Sequence, residues 1–365
     1  MRRWKAADIK LNCLCELCPY VLQLFLRMFV LSNYISQMKN ALYLFLAISF
    51  AFITSCSKED PANDLLMGTV EGTVYANLPG KTISGASVFV NYEGVKYQTT
   101  SNTLGFFSLE VPVGHHQLII QTGDGKLFQT IIEIDITENQ TTTLTTLQSK
   151  LTQSGAIAFI PGSYDAIQNI ITNSLGYTIT PIPNNLLSSL TAMQDFDAIF
   201  INCGAPDLTD PVAYDNLAQY ITDGGSIYVS DWSVSYLTGM HTGDCNRPLG
   251  FIPDTKLCSS KSGSTVTLPG TIVAPDFQAF MGTNIMSIYY DLNQWEIIQN
   301  FDPTYWEVVV STNGLPSLML RKSDFSNGTS QGNSGNIYFT TFHNDPNNSI
   351  NQDMQHMLEF VILNL

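Results

Sequence analysis

The chain is poor in charge, and above all in positive charge. Its 365 residues include 16 Lys and Arg against 31 Asp and Glu, a net charge of −15, and only 13% of residues are charged. Because so few cations cannot neutralise a run of phosphates, the composition argues against nucleic acid as a partner. A surface that relies on Ser, Thr, Asn and Gln is more common outside the cytoplasm than in it.

Nucleotide-binding motifs are also missing. The sequence has neither G-x-G-x-x-G nor a P-loop, so no motif supports a nucleotide, and we expect no cofactor and no metal site. The apolar run at 41–53 is shorter than the roughly 20 residues that span a bilayer. A hydrophobic content of 44% still supplies a core, and the length predicts a multi-domain chain of about two domains.

The run at 41–53 has the features of an export signal. It follows Lys39 and ends in the letters ITSC, the last of which is Cys56. This arrangement resembles the lipobox of bacterial lipoproteins, in which the chain is cut before the cysteine and the cysteine is acylated. The resemblance implies a signal peptide at 38–56, a linker at 57–67 and a lipid anchor in the outer membrane, on either face. The alternative is a buried strand with an incidental cysteine.

A further segment, 1–37, precedes this signal. We interpret it as an extension read from an upstream start codon, so that the biological chain begins at Met38. The C-x-C-x-x-C letters at 13–18 are then not a metal site. The alternative is an N-terminal membrane hairpin.

Residues 68–148 alternate polar and apolar side chains in short segments that glycines separate. This pattern predicts an all-β domain of six or seven short strands. The spacing of the segments resembles the carboxypeptidase regulatory-like, or transthyretin-like, domain; the letters that carry it are GTV at 72–74, ISGASV at 83–88, TLGFF at 103–107 and VPVG at 111–114. The resemblance implies a β-sandwich that acts as a spacer or a binding module.

Residues 152–365 predict an α/β domain with a flavodoxin-like, three-layer α/β/α architecture and a mostly parallel sheet. Apolar runs suited to buried strands alternate with helical periodicities; the runs are at 156–160, 177–182, 198–202 and 226–230. Asp210 followed by Pro211 is typical of a helix N-terminus. In such sheets, ligands bind beyond the carboxyl ends of the strands.

Three strand ends resemble the class I glutamine amidotransferases and their trehalose-utilisation (ThuA-like) branch. The letters FDAIFINCGAP at 196–206 resemble the strand and glycine turn that supply an oxyanion-hole amide. The letters GGSIYVSDWS at 224–233 stand in the place of the nucleophile strand, and GNIYFTTFHND at 335–345 resembles the late strand with the catalytic histidine. The region around 240–320 has no counterpart and is predicted to be an insertion.

The resemblance fails at the nucleophile. The register places Asp231 where an amidotransferase has its cysteine, and the glycines that permit a tight elbow are missing. We therefore expect no glutaminase activity. Two alternatives stay open: Ser230, His343 and Asp345 form a hydrolytic triad, or Asp231 and His343 form an ion pair inherited with the fold.

The remnant cleft is the predicted ligand site. It comprises Cys203, Gly204, Asp231, Trp232 and His343, and its expected ligand is a small polar molecule such as a glycan fragment. The sequence thus predicts a non-catalytic binding lipoprotein of the cell envelope. The alternative is an extracytoplasmic esterase or amidase that uses Ser230 or His343.

Two cysteines of the predicted insertion form a candidate disulfide. In an exported protein, Cys245 and Cys258 can close a short loop. The alternative is two free thiols.

Overall fold

The computed structural model of the protein describes residues 65–240, 245, 247, 249–312, 315–328, 334–345 and 351–365. The predicted N-terminal extension, the signal peptide and Cys56 lie outside the described residues. Contacts group Leu65–Leu365 in one compact unit. Within the described ranges, no helix combines the length and the apolar character needed to cross a bilayer.

The first seven strands form two small sheets. They are β1 (Met67–Thr73), β2 (Ser87–Tyr92), β3 (Val95–Thr100), β4 (Phe106–Pro112), β5 (Gly114–Gln121), β6 (Gln129–Ile136) and β7 (Thr141–Thr143). The strand orders are β4-β1-β7 and β3-β2-β5-β6. Inward side chains of both sheets, such as Val70, Leu109 and Leu118, belong to one hydrophobic cluster. This β-rich region therefore has its core between the two sheets.

A nine-stranded sheet follows, in the order β14-β13-β16-β17-β18-β11-β10-β8-β9. Its parallel half consists of β8 (Ile157–Ile160), β9 (Thr180–Pro181), β10 (Ala198–Ile201), β11 (Ser226–Ser230) and β18 (Ile337–Thr340). Alternate side chains of β8 enter two different hydrophobic clusters. The strand is thus covered on both faces, which explains its continuous apolar run.

The other half of this sheet is antiparallel, so the expected mostly parallel sheet is instead mixed. Its strands are β13 (Val266–Ile272), β14 (Ile285–Tyr290), β16 (Glu307–Thr312) and β17 (Leu315–Lys322), and β17 pairs antiparallel with β18. Most of the predicted insertion is therefore an extension of the sheet, which covers the edge that β18 would otherwise expose.

The rest of the insertion forms a small ribbon beside the sheet. β12 (Leu257–Lys261) pairs antiparallel with β15 (Glu296–Phe301). Cys245 and Cys258 are joined in a disulfide, with their Cα atoms 5.1 Å apart. The disulfide ties the loop before β12 to the start of the ribbon.

Short helices connect these strands. They are α1 (Ile167–Asn169, continued by a π-helical turn at Ile170–Ser174), α2 (Leu190–Met193), α3 (Pro211–Thr222), α4 (Ser235–Thr238), α5 (Pro275–Met281) and α6 (Gln352–Asn364), with 3-10 turns at Asn184–Ser188 and Asp231–Val234. The predicted cap of α3 is confirmed: the Asp210 carboxylate accepts the amide of Val212 at 3.0 Å, and Pro211 opens the helix.

The β-rich region packs directly on the α/β part. One hydrophobic cluster contains Ile120 of β5 together with Leu358 of α6. Lys81 donates to both carboxylate oxygens of Glu359 at 2.7 Å, and the Glu359 side chain is only 2% exposed. The predicted domain boundary near 148–152 thus falls inside a continuous core.

Removing the cation from this ion pair should destabilise the fold. Lys81→Met leaves the Glu359 carboxylate buried without its partner, and because Lys81 itself is partly exposed we expect a loss of about 1–3 kcal/mol. Urea unfolding measures it. The control Lys96→Met removes an exposed ammonium that lies over Phe89, with an expected loss of at most about 1 kcal/mol. Equal stability of the wild type and Lys81→Met would contradict a role for this contact.

Candidate functional site

The carboxyl ends of the parallel strands meet at one edge of the sheet. Asp165 follows β8, Cys203 follows β10, Asp231 follows β11 and His343 follows β18. All four side chains are buried. We call Cys203, Asp231 and His343 the strand-end cluster, because their ligand-type atoms lie within 4.8 Å of one another.

Asp231 is the centre of this cluster. Its φ of 46° is one that residues with a side chain rarely adopt. Its Oδ1 accepts the amide of Glu296 at 2.7 Å, and its Oδ2 accepts the thiol of Cys203 at 3.5 Å. Burial raises the pKa of Asp231, and the neighbouring His343 opposes this rise. Interior groups therefore hold both oxygens of the carboxylate.

His343 lies between two carboxylates. Its Nδ1 is 3.3 Å from Asp231 Oδ2, and its Nε2 is 3.1 Å from Asp291 Oδ1. Burial alone would lower the pKa of His343, but contacts with these two carboxylates outweigh burial and hold the pKa well above its ordinary value. Partial burial likewise favours a higher pKa for Asp291, and contact with His343 overrides it and lowers the pKa. The ring therefore favours its charged form.

Ser230 has other partners. Its hydroxyl donates to the carboxylate of Asp165 and accepts the amide of Cys203 at 2.9 Å. Asp165 also accepts the amide of Asn344 at 3.1 Å, and burial raises its pKa. The hydroxyl thus fixes the loop after β8 against the loop after β10.

The contacts of His343 do not match the predicted triad. A triad needs a serine hydroxyl on one ring nitrogen and the carboxylate of Asp345 on the other. In the described structure Asp231 and Asp291 stand at those nitrogens, as the ion-pair alternative expects for Asp231. The triad is therefore wrong because a buried imidazolium is better compensated by two carboxylates than by a neutral hydroxyl.

Cys203 is a free and fully buried cysteine. Burial and the nearby carboxylate of Asp231 raise the pKa of the Cys203 thiol to about 12. The thiol therefore stays protonated at neutral pH and is not an activated nucleophile.

A small cavity of about 60 Å³ lies next to these strand ends. It is lined by Gly204, Ala205, Asp207, Trp232, Ser235, Arg247, Lys261 and Glu296. Two predicted ligand residues, Gly204 and Trp232, line it, whereas Cys203, Asp231 and His343 do not. Gly204 has a φ of 79°, and a Cβ there would stand 2.7 Å from the ring of Tyr164. The glycine therefore allows the turn to pass close under that ring.

Aromatic and cationic side chains surround this cavity. The rings of Tyr164 and Trp232 meet edge to face at 5.0 Å, and the ammonium of Lys261 lies 4.2 Å from the centre of the Trp232 ring. Arg247 contacts the carboxylate of Glu296 at 3.2 Å, and both side chains are at most 2% exposed. A cavity of this size holds about two water molecules, so it suits one small polar group of a larger ligand.

A larger hollow lies at the opposite end of β8. It has a volume of about 710 Å³, and Thr130, Lys150, Tyr177 and Thr178 are among its lining residues. The described residues of its wall include no aspartate, glutamate, histidine or cysteine. It therefore lacks the ionisable groups that mark the strand-end site.

Several residues of this site are absent from the sequence-based prediction; they are Asp165, Asp291, Arg247, Lys261 and Glu296. Asp165 follows a predicted strand and could have been found by its position after the strand end. The other four come from the insertion, whose path along the sheet no local pattern indicates.

No family model matches the chain, and no curated protein matches it. Similar solved structures include a Thermoplasma acidophilum protein named as part of a GMP synthase, with 12% identity and a TM-score of 0.40 over 58% of this chain and 94% of that one. Another is named as a ThuA-like protein of Bacteroides uniformis, with 10% identity and a TM-score of 0.37 over 56% of this chain and 89% of that one.

A third structure is a DUF3823 family protein of Parabacteroides merdae, with 13% identity and a TM-score of 0.20 over 25% of this chain and 49% of that one. Likenesses this weak carry no information on what the chain binds or catalyses. The structural neighbours of this mixed α/β chain thus include amidotransferase-type and ThuA-like proteins.

Proposed function

We propose that this chain is a lipid-anchored protein of the outer membrane that binds a small polar ligand without catalysing a reaction. The observation that carries the proposal is the state of Asp231. It occupies the nucleophile position that the sequence register assigns, and its two oxygens are held by the Glu296 amide and by Cys203 and His343. A carboxylate held inside the protein in this way cannot attack a substrate.

Binding is assigned to the small cavity beside Trp232. Its mouth offers the aromatic pair Tyr164 and Trp232, of which Tyr164 is 39% exposed. Asp207 and Lys261 add a carboxylate and an ammonium to the wall. An aromatic face beside polar groups suits a sugar ring, whose apolar face stacks while its hydroxyls form hydrogen bonds. We therefore propose a glycan fragment as the ligand.

The β-rich region serves as the spacer in this proposal. Its seven strands in two sheets fit the carboxypeptidase regulatory-like sandwich that the sequence resembles. Cys56 carries the lipid, and more than one acyl chain is what stable membrane anchoring requires. The region thus joins the anchor to the binding part.

Loss of the aromatic mouth should weaken glycan binding. Trp232→Ala removes the stacking face, and we expect affinity for the best of cellotriose, maltotriose and chitotriose to fall about tenfold. Isothermal titration calorimetry measures it. The control Tyr289→Ala removes another partly exposed aromatic ring, which lies on β14, and should bind as the wild type does. Equal binding by the Trp232 variant would place the ligand elsewhere.

The positive φ of Asp231 favours the hydrolase as the second candidate, because nucleophile elbows are strained in this way. We nevertheless expect no turnover of p-nitrophenyl acetate or of a simple anilide above the buffer rate, since the ring nitrogens of His343 face carboxylates. Steady-state assays on the wild type and His343→Ala test this. Turnover that disappears in the His343 variant would refute the non-catalytic proposal.

The anchor has its own test. Cys56→Ser should abolish incorporation of labelled palmitate and release the chain from the membrane fraction, because the acyl chains supply the binding energy. Fractionation and mass spectrometry of the full chain measure both effects. Cys18→Ser, in the segment before the predicted signal, should leave them unchanged. A Cys56 variant that stays membrane-bound and unmodified would contradict the lipobox interpretation.

A further inference from the structure

We propose that Cys203, Asp231 and His343 bind a divalent zinc ion. A thiol, a carboxylate and an imidazole form a donor set that zinc accepts, and they come from three neighbouring strand ends. This inference goes beyond the proposed function and does not depend on it, because the ligand cavity has none of the three residues in its wall.

The distances fit a tetrahedral ion. Zinc lies about 2.3 Å from sulfur and about 2.0–2.1 Å from nitrogen or oxygen, so the tetrahedral edges are about 3.5 Å for S···O and about 3.3 Å for N···O. The observed separations are 3.5 Å from Cys203 Sγ to Asp231 Oδ2 and 3.3 Å from His343 Nδ1 to Asp231 Oδ2. The ligands are therefore already spaced for an ion between them.

The orphaned ring of His343 points to an occupant independently of these spacings. His343 is buried, and neither of its nitrogens has a well-aligned hydrogen bond among the described residues. An unpaired polar group in the interior is costly. A zinc ion would bind Nδ1 and leave the Nε2 proton directed at Asp291.

The surroundings of His343 resemble those of a metal ligand. Asp291 Oδ1 lies 3.1 Å from Nε2, on the far side of the ring from Asp231. Metal-binding histidines usually donate the second ring N–H to such a carboxylate, which fixes the ring and raises its basicity. The Glu296 amide holds Asp231 Oδ1 and so leaves Oδ2 for the ion.

Charge also balances at this site. On binding, the Cys203 thiol and any protonated His343 release their protons, so that a thiolate, a carboxylate and a neutral imidazole face the ion. The two negative charges neutralise zinc in a buried site, where unpaired charge is unfavourable. The fourth position of a tetrahedral ion is left to a ligand from outside the three residues.

The test uses the full chain without a histidine tag, purified in detergent. After incubation with zinc and dialysis, mass spectrometry of metals should find about one zinc per chain. Cys203→Ser should lose most of it, and Asp291→Asn should bind about tenfold more weakly. The control His356→Ala lies on α6 beside Glu359 and should bind as the wild type does. Zinc content that is equal in the wild type and Cys203→Ser overturns the proposal.

Cobalt in the wild-type chain gives a readout that needs no variant. Cobalt(II) at this site should show tetrahedral visible bands and a thiolate-to-metal charge-transfer band in the near ultraviolet, and excess zinc should abolish both. If Cys203→Ser fails to fold, this spectrum decides alone. A spectrum without the charge-transfer band overturns the proposal, whether or not the chain binds glycans.

Discussion

The buried charges around His343 are the constraint on which the rest of the site depends. An isolated ion in a protein interior is strongly unfavourable, so each charge needs a partner at short range. His343 therefore requires Asp231 and Asp291 at 3.3 and 3.1 Å, and Asp231 requires the Glu296 amide. Through these contacts the ends of β11, β14 and β18 and the start of β15 are held in one arrangement.

The same constraint separates this site from a nucleophile elbow. An elbow keeps its nucleophile at a strained turn and exposes it to substrate. Asp231 retains the strained turn, with a φ of 46°, but its side chain is completely buried. Ser230 next to it hydrogen-bonds to Asp165 and to the amide of Cys203. The backbone geometry of catalysis is thus present, while its side chains support the interior.

Sequence analysis could predict the parallel half of the sheet and the meeting of Asp231 with His343. The parallel strands are continuous apolar runs, and residues that follow such strands converge at one edge. Asp291 and Glu296 could not be predicted in this way, because antiparallel pairing across the insertion brings them to the edge. Such long-range pairings depend on tertiary packing, which local periodicity does not encode.

Glu296 connects the two parts of the site. Its amide holds Asp231 inside the strand-end cluster, while its carboxylate contacts Arg247 in the cavity wall. Asp231 and Trp232 are likewise adjacent in the chain, one in the cluster and one in the cavity. A ligand that moved Arg247 would therefore act on the residue whose backbone fixes Asp231. An ion on Asp231 would conversely hold the Glu296 end of that contact in place, so the two sites share one rigid segment at the start of β15.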